Sequence, residues 1–113
     1  MKLLLAIPRR DENLPKKLKI DLAEYEVYTV SDKKWNSKQN GELLQLMLDE
    51  HFDVLFTFDK NLQFQQNFRK YPIAVIILNA PDNAYITLKE LVPQIKKVLT
   101  TDLPAGPTEI KVS

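Results

Sequence analysis

The sequence predicts an α/β domain of three layers, α/β/α, with helices on both faces of a mainly parallel central sheet of about four to five strands. Two observations lead to this fold class. Short apolar runs alternate along the chain with longer stretches in which apolar residues recur every third or fourth position. The apolar runs are typical of buried strands, and the recurrence at every third or fourth position is typical of amphipathic helices. The length of 113 residues fits one domain.

In the first part of the chain, the pattern predicts a strand followed by a helix. Residues 2–7 form a Leu-rich run ended by a proline, which is typical of a buried strand. Polar residues 11–13 then precede a Leu-Pro step, as at the start of a helix. Leu14, Leu18 and Leu22 lie four positions apart, and this spacing gives the helix one apolar stripe.

The next segment predicts a strand, a loop and a second helix. Residues 25–30 alternate Tyr, Val and Thr with Glu26 and Tyr28, which favours a strand. Residues 31–39 are polar except for Trp35 and are predicted to form a loop. The helix is expected over 40–51, with an asparagine as its N-cap and Glu42 in its first turn, where the helix dipole favours an acid.

The second half of the chain predicts three strands and two helices. The strands are the nearly apolar runs at 53–58 and 73–78 and a short last strand at 109–112, and the first is apolar enough to be buried on both faces. The helices are expected over 61–70 and over 84–99, the latter despite an internal proline. The order βαβαβαβαβ then follows, and in such sheets the functional site lies beyond the carboxyl ends of the strands.

Composition and charge exclude several functional classes. The chain has no cysteine, which removes disulfides, thiolate metal sites and cysteine nucleophiles. Sixteen Lys and Arg residues against 15 Asp and Glu residues give a formal net charge of +1, so bulk charge points to neither nucleic acid nor membrane. The longest apolar run near the start is too short for a membrane span or an export signal. We therefore expect a cytoplasmic protein with no membrane partner.

Three acidic residues fall where a site is expected. Asp11 follows the first strand, Asp59 follows the third, and Glu42 opens the helix between the second and third strands. If the first and third strands are neighbours, the three carboxylates can converge, and they then repel one another unless a cation joins them. Oxygen ligands without histidine or thiolate suit Mg²⁺ or Mn²⁺. Such ions activate water and stabilise a phosphodiester under attack, which makes a metal-dependent nuclease chemically coherent.

The same acids also have an ordinary structural explanation. Asp and Asn are common as helix caps and turn residues, so each carboxylate taken alone is explained as well by local structure. Only their joint placement at strand ends favours a site.

Three motifs resemble those of a family of small bacterial PIN-like proteins. They are DENLP at 11–15, NGELL at 40–44 and FDVLFTFDKNLQFQQN at 52–67, and the apolar strand at 73–78 is similar as well. The family is described as predicted ribonuclease toxins of toxin–antitoxin pairs. The resemblance covers nearly the whole chain and implies a PIN-type fold, acidic ligands for Mg²⁺ or Mn²⁺, and cleavage of RNA.

The resemblance also implies roles for individual residues. Asp11, Glu42 and Asp59 fall on the acidic positions, as catalytic residues and metal ligands. Amide side chains that would contact the RNA are those of Asn13, Asn40, Asn61, Gln65 and Gln66. The implied partners are an RNA substrate, an antitoxin protein and, by analogy, a second copy of the chain in a homodimer.

One departure from the family pattern concerns the first acid. In the family the first strand runs straight into the acid, whereas here residues 6–10 intervene. Five extended residues span about 16 Å, farther than a metal site tolerates. Either residues 8–10 loop back and return Asp11 to the site, or the site is impaired. Asp82, after the fourth strand, is the nearest candidate for a fourth acid.

Two other functional classes stay open. A receiver-like phospho-acceptor domain also has acids after its first strand, here Asp11 and Glu12, and an Asp after its third, here Asp59. Against it, no Lys-Pro step follows the fifth strand, and Asn79 and Ala80 replace the expected hydroxyl. The other class is a non-catalytic interaction module on a PIN-like scaffold.

Three further side chains have a functional and a structural reading. Trp35 could stack on an RNA base, but we expect it to anchor its loop to the core. His51 is expected to end a helix rather than to act in catalysis. Thr57 could donate a hydrogen bond to a ligand carboxylate, although β-propensity also explains a threonine there.

Overall fold

A computed structural model describes residues 1–6, 14–35, 38, 40–57, 72–79, 89–100 and 104–111. Within these ranges the chain forms five strands and three helices. The strands are β1 (Lys2–Ala6), β2 (Glu26–Thr29), β3 (Val54–Thr57), β4 (Ala74–Asn79) and β5 (Gly106–Lys111). The helices are α1 (Leu14–Asp21), α2 (Asn40–Asp49) and α3 (Val92–Leu99). No helix of the described residues is long and apolar enough to cross a membrane.

The five strands form one parallel sheet in the order β2-β1-β3-β4-β5. This confirms the predicted α/β class and the parallel sheet. The chain first moves outward from β1 to β2 and then crosses back to β3 on the other side of β1. The winding direction therefore changes between β1 and β3, which is the position where doubly wound sheets of this order bind their ligands.

Helices cover both faces of the sheet, so the molecule has the predicted three layers. Alternate strand residues point to opposite faces. Leu3 and Leu5 of β1 pack in one buried cluster with residues of α1 and α3. Leu4 lies in a second buried cluster with residues of α2, including Met47. The leucine stripe predicted for α1 is confirmed at Leu18 and Leu22, which are both buried.

The helices divide between the two faces of the sheet. α1 and α3 pack on the same face, and α2 packs on the other.

The prediction of an unbroken helix over 84–99 is wrong at Glu90 and Leu91, which form a turn before α3 begins at Val92. Pro93 lies in the first turn of α3, where the missing N–H is not needed for an intrahelical bond. A proline in mid-helix would have removed such a bond. Residues 84–88, and the helix predicted over 61–70, lie outside the described residues.

The last strand is longer than predicted. β5 begins at Gly106, three positions before the predicted start. Gly106 has a φ of 101°, which favours glycine because that region is crowded for residues with a Cβ. Its N–H donates to the carbonyl of Ile73 at 3.0 Å and starts the β4–β5 ladder. The next residue, Pro107, has its nitrogen on the outer side of the strand, so the ladder to β4 loses no donor.

Candidate functional site

The carboxyl ends of β1 and β3 meet at the point where the winding direction changes. Ala6 ends β1 and lies in register with Thr57, which ends β3. Thr57 in turn lies in register with Ile77 of β4. Neighbouring strands are about 4.8 Å apart. The segments that contain Asp11 and Asp59 therefore leave the sheet from adjacent points, as the nuclease hypothesis requires.

Most of the predicted site residues lie outside the described residues. Both strand-end acids, Asp11 and Asp59, belong to this group, as does Asp82. So do the amide side chains of Asn13, Asn61, Gln65 and Gln66. Asn40 is the first residue of α2, and only its backbone is described.

Glu42 is the predicted acidic ligand that the structure describes. It lies in the first turn of α2, and its side chain is 61% exposed. Its Oε2 lies 3.9 Å from Nζ of Lys38, which lies four positions earlier in the chain and precedes the helix. The carboxylate is thus largely exposed, and the contact that the described residues show for it is this long ion pair with Lys38. Among the described residues, no three His, Cys, Asp or Glu side chains form a group that could hold a metal ion.

Thr57 is a buried polar residue at the end of β3, with 5% of its surface exposed. Thr57 and Leu55 are two positions apart in β3, so their side chains point to the same face of the sheet. Leu55 packs on that face with residues of α2. Asp59 follows two positions later, and residues two apart in an extended strand share a face. Asp59 lies outside the described residues, so a hydrogen bond from the hydroxyl of Thr57 to that carboxylate stays a prediction.

Trp35 anchors its loop to the core, as expected. It is 8% exposed, and its ring meets that of Phe52 edge-on at a centroid distance of 5.8 Å. Nζ of Lys33 lies 5.4 Å from the centre of the indole. Edge-on aromatic pairs and cations over a ring face both stabilise such packing. A ring enclosed in this way is not presented for stacking on a nucleic-acid base.

A cluster of aromatic and basic side chains surrounds this anchor, and the sequence did not predict it. Lys2 Nζ lies 4.4 Å from the ring centre of Phe52 and donates to the carbonyl of Glu50 at 2.8 Å. Tyr28 meets Phe52 edge-on at 5.7 Å, and Lys33 forms an ion pair with Glu50. The ammonium groups of Lys2 and Lys33 thus contact a carbonyl, a carboxylate and the rings of this cluster, which indicates a structural role.

His51 ends α2 by its backbone conformation. Its φ is 62°, the left-handed value found at the position just after a helix. The N–H of Phe52 donates to the carbonyl of Met47 at 2.8 Å, and that of His51 to Leu48 at 3.1 Å. This pair of bonds is the Schellman motif, in which glycine is the usual residue at the left-handed position. The expectation that His51 ends this helix is confirmed, through its backbone and from a position just beyond the last helical residue, Asp49.

A second capped turn lies at the carboxyl end of β2. Thr29 N–H donates to Oδ2 of Asp32 at 2.9 Å, and Asp32 N–H donates to Oγ1 of Thr29 at 3.0 Å. Lys19 of α1 forms an ion pair with the same carboxylate. Partial burial acts to raise the pKa of Asp32, but the hydrogen bonds from Lys19 and Thr29 outweigh it and hold that pKa below its ordinary value.

Comparison of the chain with protein-family models, with curated proteins and with solved structures gave no match. The functional argument therefore rests on the sheet topology and on the residues of this chain.

Proposed function

We propose that the chain is a ribonuclease of PIN-like type that depends on Mg²⁺ or Mn²⁺ and is the toxin of a toxin–antitoxin pair. The observation that carries the proposal is the adjacency of β1 and β3, with their last residues in register. One predicted acid follows each of these two strands. A carboxyl edge at a change of winding direction is the general location of sites in such sheets.

The position of α1 supports a place for Asp11 at this edge. Glu26 N–H donates to the carbonyl of Met1, so β2 begins level with the start of β1. Because α1 and the turn after it lead into β2, they end at that same level. The eight residues of α1 rise about 11 Å, and a five-residue strand spans about 13 Å. The start of α1 at Leu14 is therefore level with the end of β1. Asp11 comes three positions earlier and is within about 10 Å of that point.

The donor set fits a hard divalent cation. Glu42 is an exposed oxygen donor in the first turn of α2, and the other two proposed ligands are aspartates. A bound Mg²⁺ or Mn²⁺ would activate a water and stabilise the negative charge that develops on the phosphate. In the proposal, the three carboxylates hold the cation, and the amides of Asn13, Asn40, Asn61, Gln65 and Gln66 orient the RNA strand.

Cleavage of labelled single-stranded RNA tests the proposal. We expect cleavage with MnCl₂ or MgCl₂, none with EDTA, and a loss of about a hundredfold or more for Asp59→Asn, Asp11→Asn and Glu42→Gln, as for residues that act only as a unit. Asp49→Asn is the matched control, because Asp49 lies at the opposite end of α2 and pairs with Gln45. Undiminished cleavage by Asp59→Asn would contradict the mechanism.

A second candidate is favoured by the strand order. The order β2-β1-β3-β4-β5 is that of flavodoxin-like folds, which include receiver domains. Acids follow β1 and β3, as a receiver-like phospho-acceptor requires, and Lys111 ends β5 in register with Asn79 of β4. Incubation with acetyl phosphate and Mg²⁺, followed by intact mass measurement, tests this reading. A phosphoryl adduct on the wild type that Asp59→Asn lacks would replace the nuclease proposal.

A further inference from the structure

The two edges of the sheet differ in how many backbone groups they leave without an intrachain partner. In a parallel strand, the N–H and C=O of one residue point to the same side, and successive residues alternate sides. In β2, Glu26 and Val30 donate to β1, so Val27 and Thr29 point outward. Thr29 is already bonded on that side, by the side chain of Asp32 and by the N–H of Lys33. Within the described ranges, Val27 is thus the one outward residue of β2 whose backbone groups show no intrachain bond.

The β5 edge is open over more of its length. Gly106 donates to β4, so Thr108 and Ile110 also point to β4, while Pro107, Glu109 and Lys111 point outward. In the part of the chain that the structure describes, no hydrogen bond to another segment reaches the outward groups of Glu109 and Lys111. Pro107 has no N–H to offer. Among the described residues of β5, the outward donors and acceptors for which the structure shows no intrachain bond are therefore those of Glu109 and Lys111.

The side chains of these two residues carry opposite charges and share one face. Glu109 and Lys111 lie on the face opposite Ile110, which is buried with the α1 and α3 residues. Both are exposed, and Lys111 Nζ lies 3.3 Å from Oε1 of Glu109. A lone lysine or proline on an edge strand discourages pairing. An alternating Glu-x-Lys edge is different, because it is complementary to its own antiparallel copy.

We infer that β5 is a homodimerisation edge, on which the β5 strand of a second copy pairs antiparallel about a two-fold axis at Ile110. In this register Glu109 of each copy lies opposite Lys111 of the other, and both residues point their backbone groups across the axis. Four N–H···O=C bonds and two cross-strand ion pairs form, and the two sheets become one. Opposite charges at directly facing positions stabilise a strand pair, and like charges destabilise it. The inference rests on no part of the proposed ribonuclease activity.

The dimer is expected to be weak, because only two residues per strand pair through the backbone. An interface of this size belongs to the transient class, with a dissociation constant of about 10 μM to 1 mM. Sedimentation equilibrium of the wild-type chain over that concentration range measures it. Association is expected to weaken as salt is added, since exposed ion pairs are screened.

Charge reversal provides the decisive comparison. Glu109→Lys puts lysine opposite lysine, and Lys111→Glu puts glutamate opposite glutamate, so each variant alone should dimerise about tenfold to a hundredfold more weakly. An equimolar mixture of the two variants should form a heterodimer. The double variant Glu109→Lys with Lys111→Glu should dimerise like the wild type. Thermal melting of each variant verifies that the exposed substitutions leave folding intact.

Amide hydrogen exchange gives a second, independent readout. Thr108 and Ile110 donate within the chain and should be protected at every concentration. Glu109 and Lys111 should gain protection only as the dimer forms. A wild type that stays monomeric up to about 1 mM would overturn the inference and would leave the edge to an extended segment of another protein. A dimer that both single variants retain would overturn it as well, because another surface would then hold the copies together.

Discussion

Ala6 at the end of β1 lies directly beside Thr57 at the end of β3. This pairing makes the predicted acidic site geometrically possible, because the segments with Asp11 and Asp59 both start there. Carboxylates gathered in one crevice repel each other, and a cation that binds the folded state removes that repulsion. The stability of the folded chain should therefore respond to a divalent metal.

Mn²⁺ should raise the melting temperature of the wild-type chain. At a metal concentration ten times the dissociation constant, the free energy of unfolding rises by about 1.4 kcal/mol, which corresponds to about 5 °C for a domain of this size. Asp59→Asn should lose this response, and Asp49→Asn should keep it. Differential scanning calorimetry with and without MnCl₂ measures the shift. A flat wild-type response, together with no RNA cleavage, would favour the interaction-module reading.

The buried hydroxyl of Thr57 should matter more for metal binding than for folding. Thr57→Val keeps the volume and the β-branch but removes the hydroxyl, so we expect metal affinity to fall about tenfold to a hundredfold, as when a group that supports a ligand is removed. Thr57→Ser restores the hydroxyl and should recover most of that affinity. Calorimetric titration with MnCl₂ measures both variants. Equal affinities in the valine and serine variants would show that the hydroxyl has no part in the site.

The sequence predicted the layers and the parallel sheet because these depend on apolar periodicity. The runs that contain Leu4, Leu55 and Ile76 are almost entirely apolar, since both faces of their strands are buried. The adjacency of β1 and β3 was a condition of the site hypothesis, and the structure confirms it. The convergence of Asp11 with Asp59 stays a prediction, since both lie outside the described residues.

Other features could not be predicted because they depend on tertiary packing. The apolar stripe of α3 would suit either face of the sheet, and nothing in it specifies the face shared with α1. The packing of Trp35 against Phe52 joins residues 17 positions apart in the chain. The open β5 edge depends on which residues pair with β4, and a shift of one residue would exchange the inward and outward sets.

His51→Gly should stabilise the protein. His51 holds a φ of 62°, a conformation that costs a residue with a Cβ about 1 kcal/mol and costs glycine little. After allowing for the greater freedom of glycine in the unfolded chain, we expect a net gain of about 0.5 kcal/mol. Urea unfolding measures it. His51→Ala is the control, since alanine keeps the Cβ, and an equal gain in that variant would contradict the backbone explanation.

The Lys19–Asp32 ion pair should make stability depend on pH at the acid end. Because hydrogen bonds lower the pKa of Asp32 from its ordinary value of 3.8 in the folded state, the unfolded state binds the proton more readily. The stabilisation is therefore fully present above the ordinary value and is lost as the pH falls through the lowered folded value. The carboxylate is 37% exposed, so screening holds the contribution below about 1 kcal/mol.

Asp32→Asn isolates this contribution, because asparagine can still accept from the N–H of Thr29 but carries no charge for Lys19. Urea unfolding of both proteins from about pH 7 to about pH 3 should give a constant difference in unfolding free energy above about pH 5. The difference should shrink toward zero as the pH falls further. Lys19→Met, which leaves Asp32 charged but removes its partner, should also lose the wild-type advantage near neutral pH. A difference between the wild type and Asp32→Asn that grows on acidification would contradict the lowered pKa of Asp32.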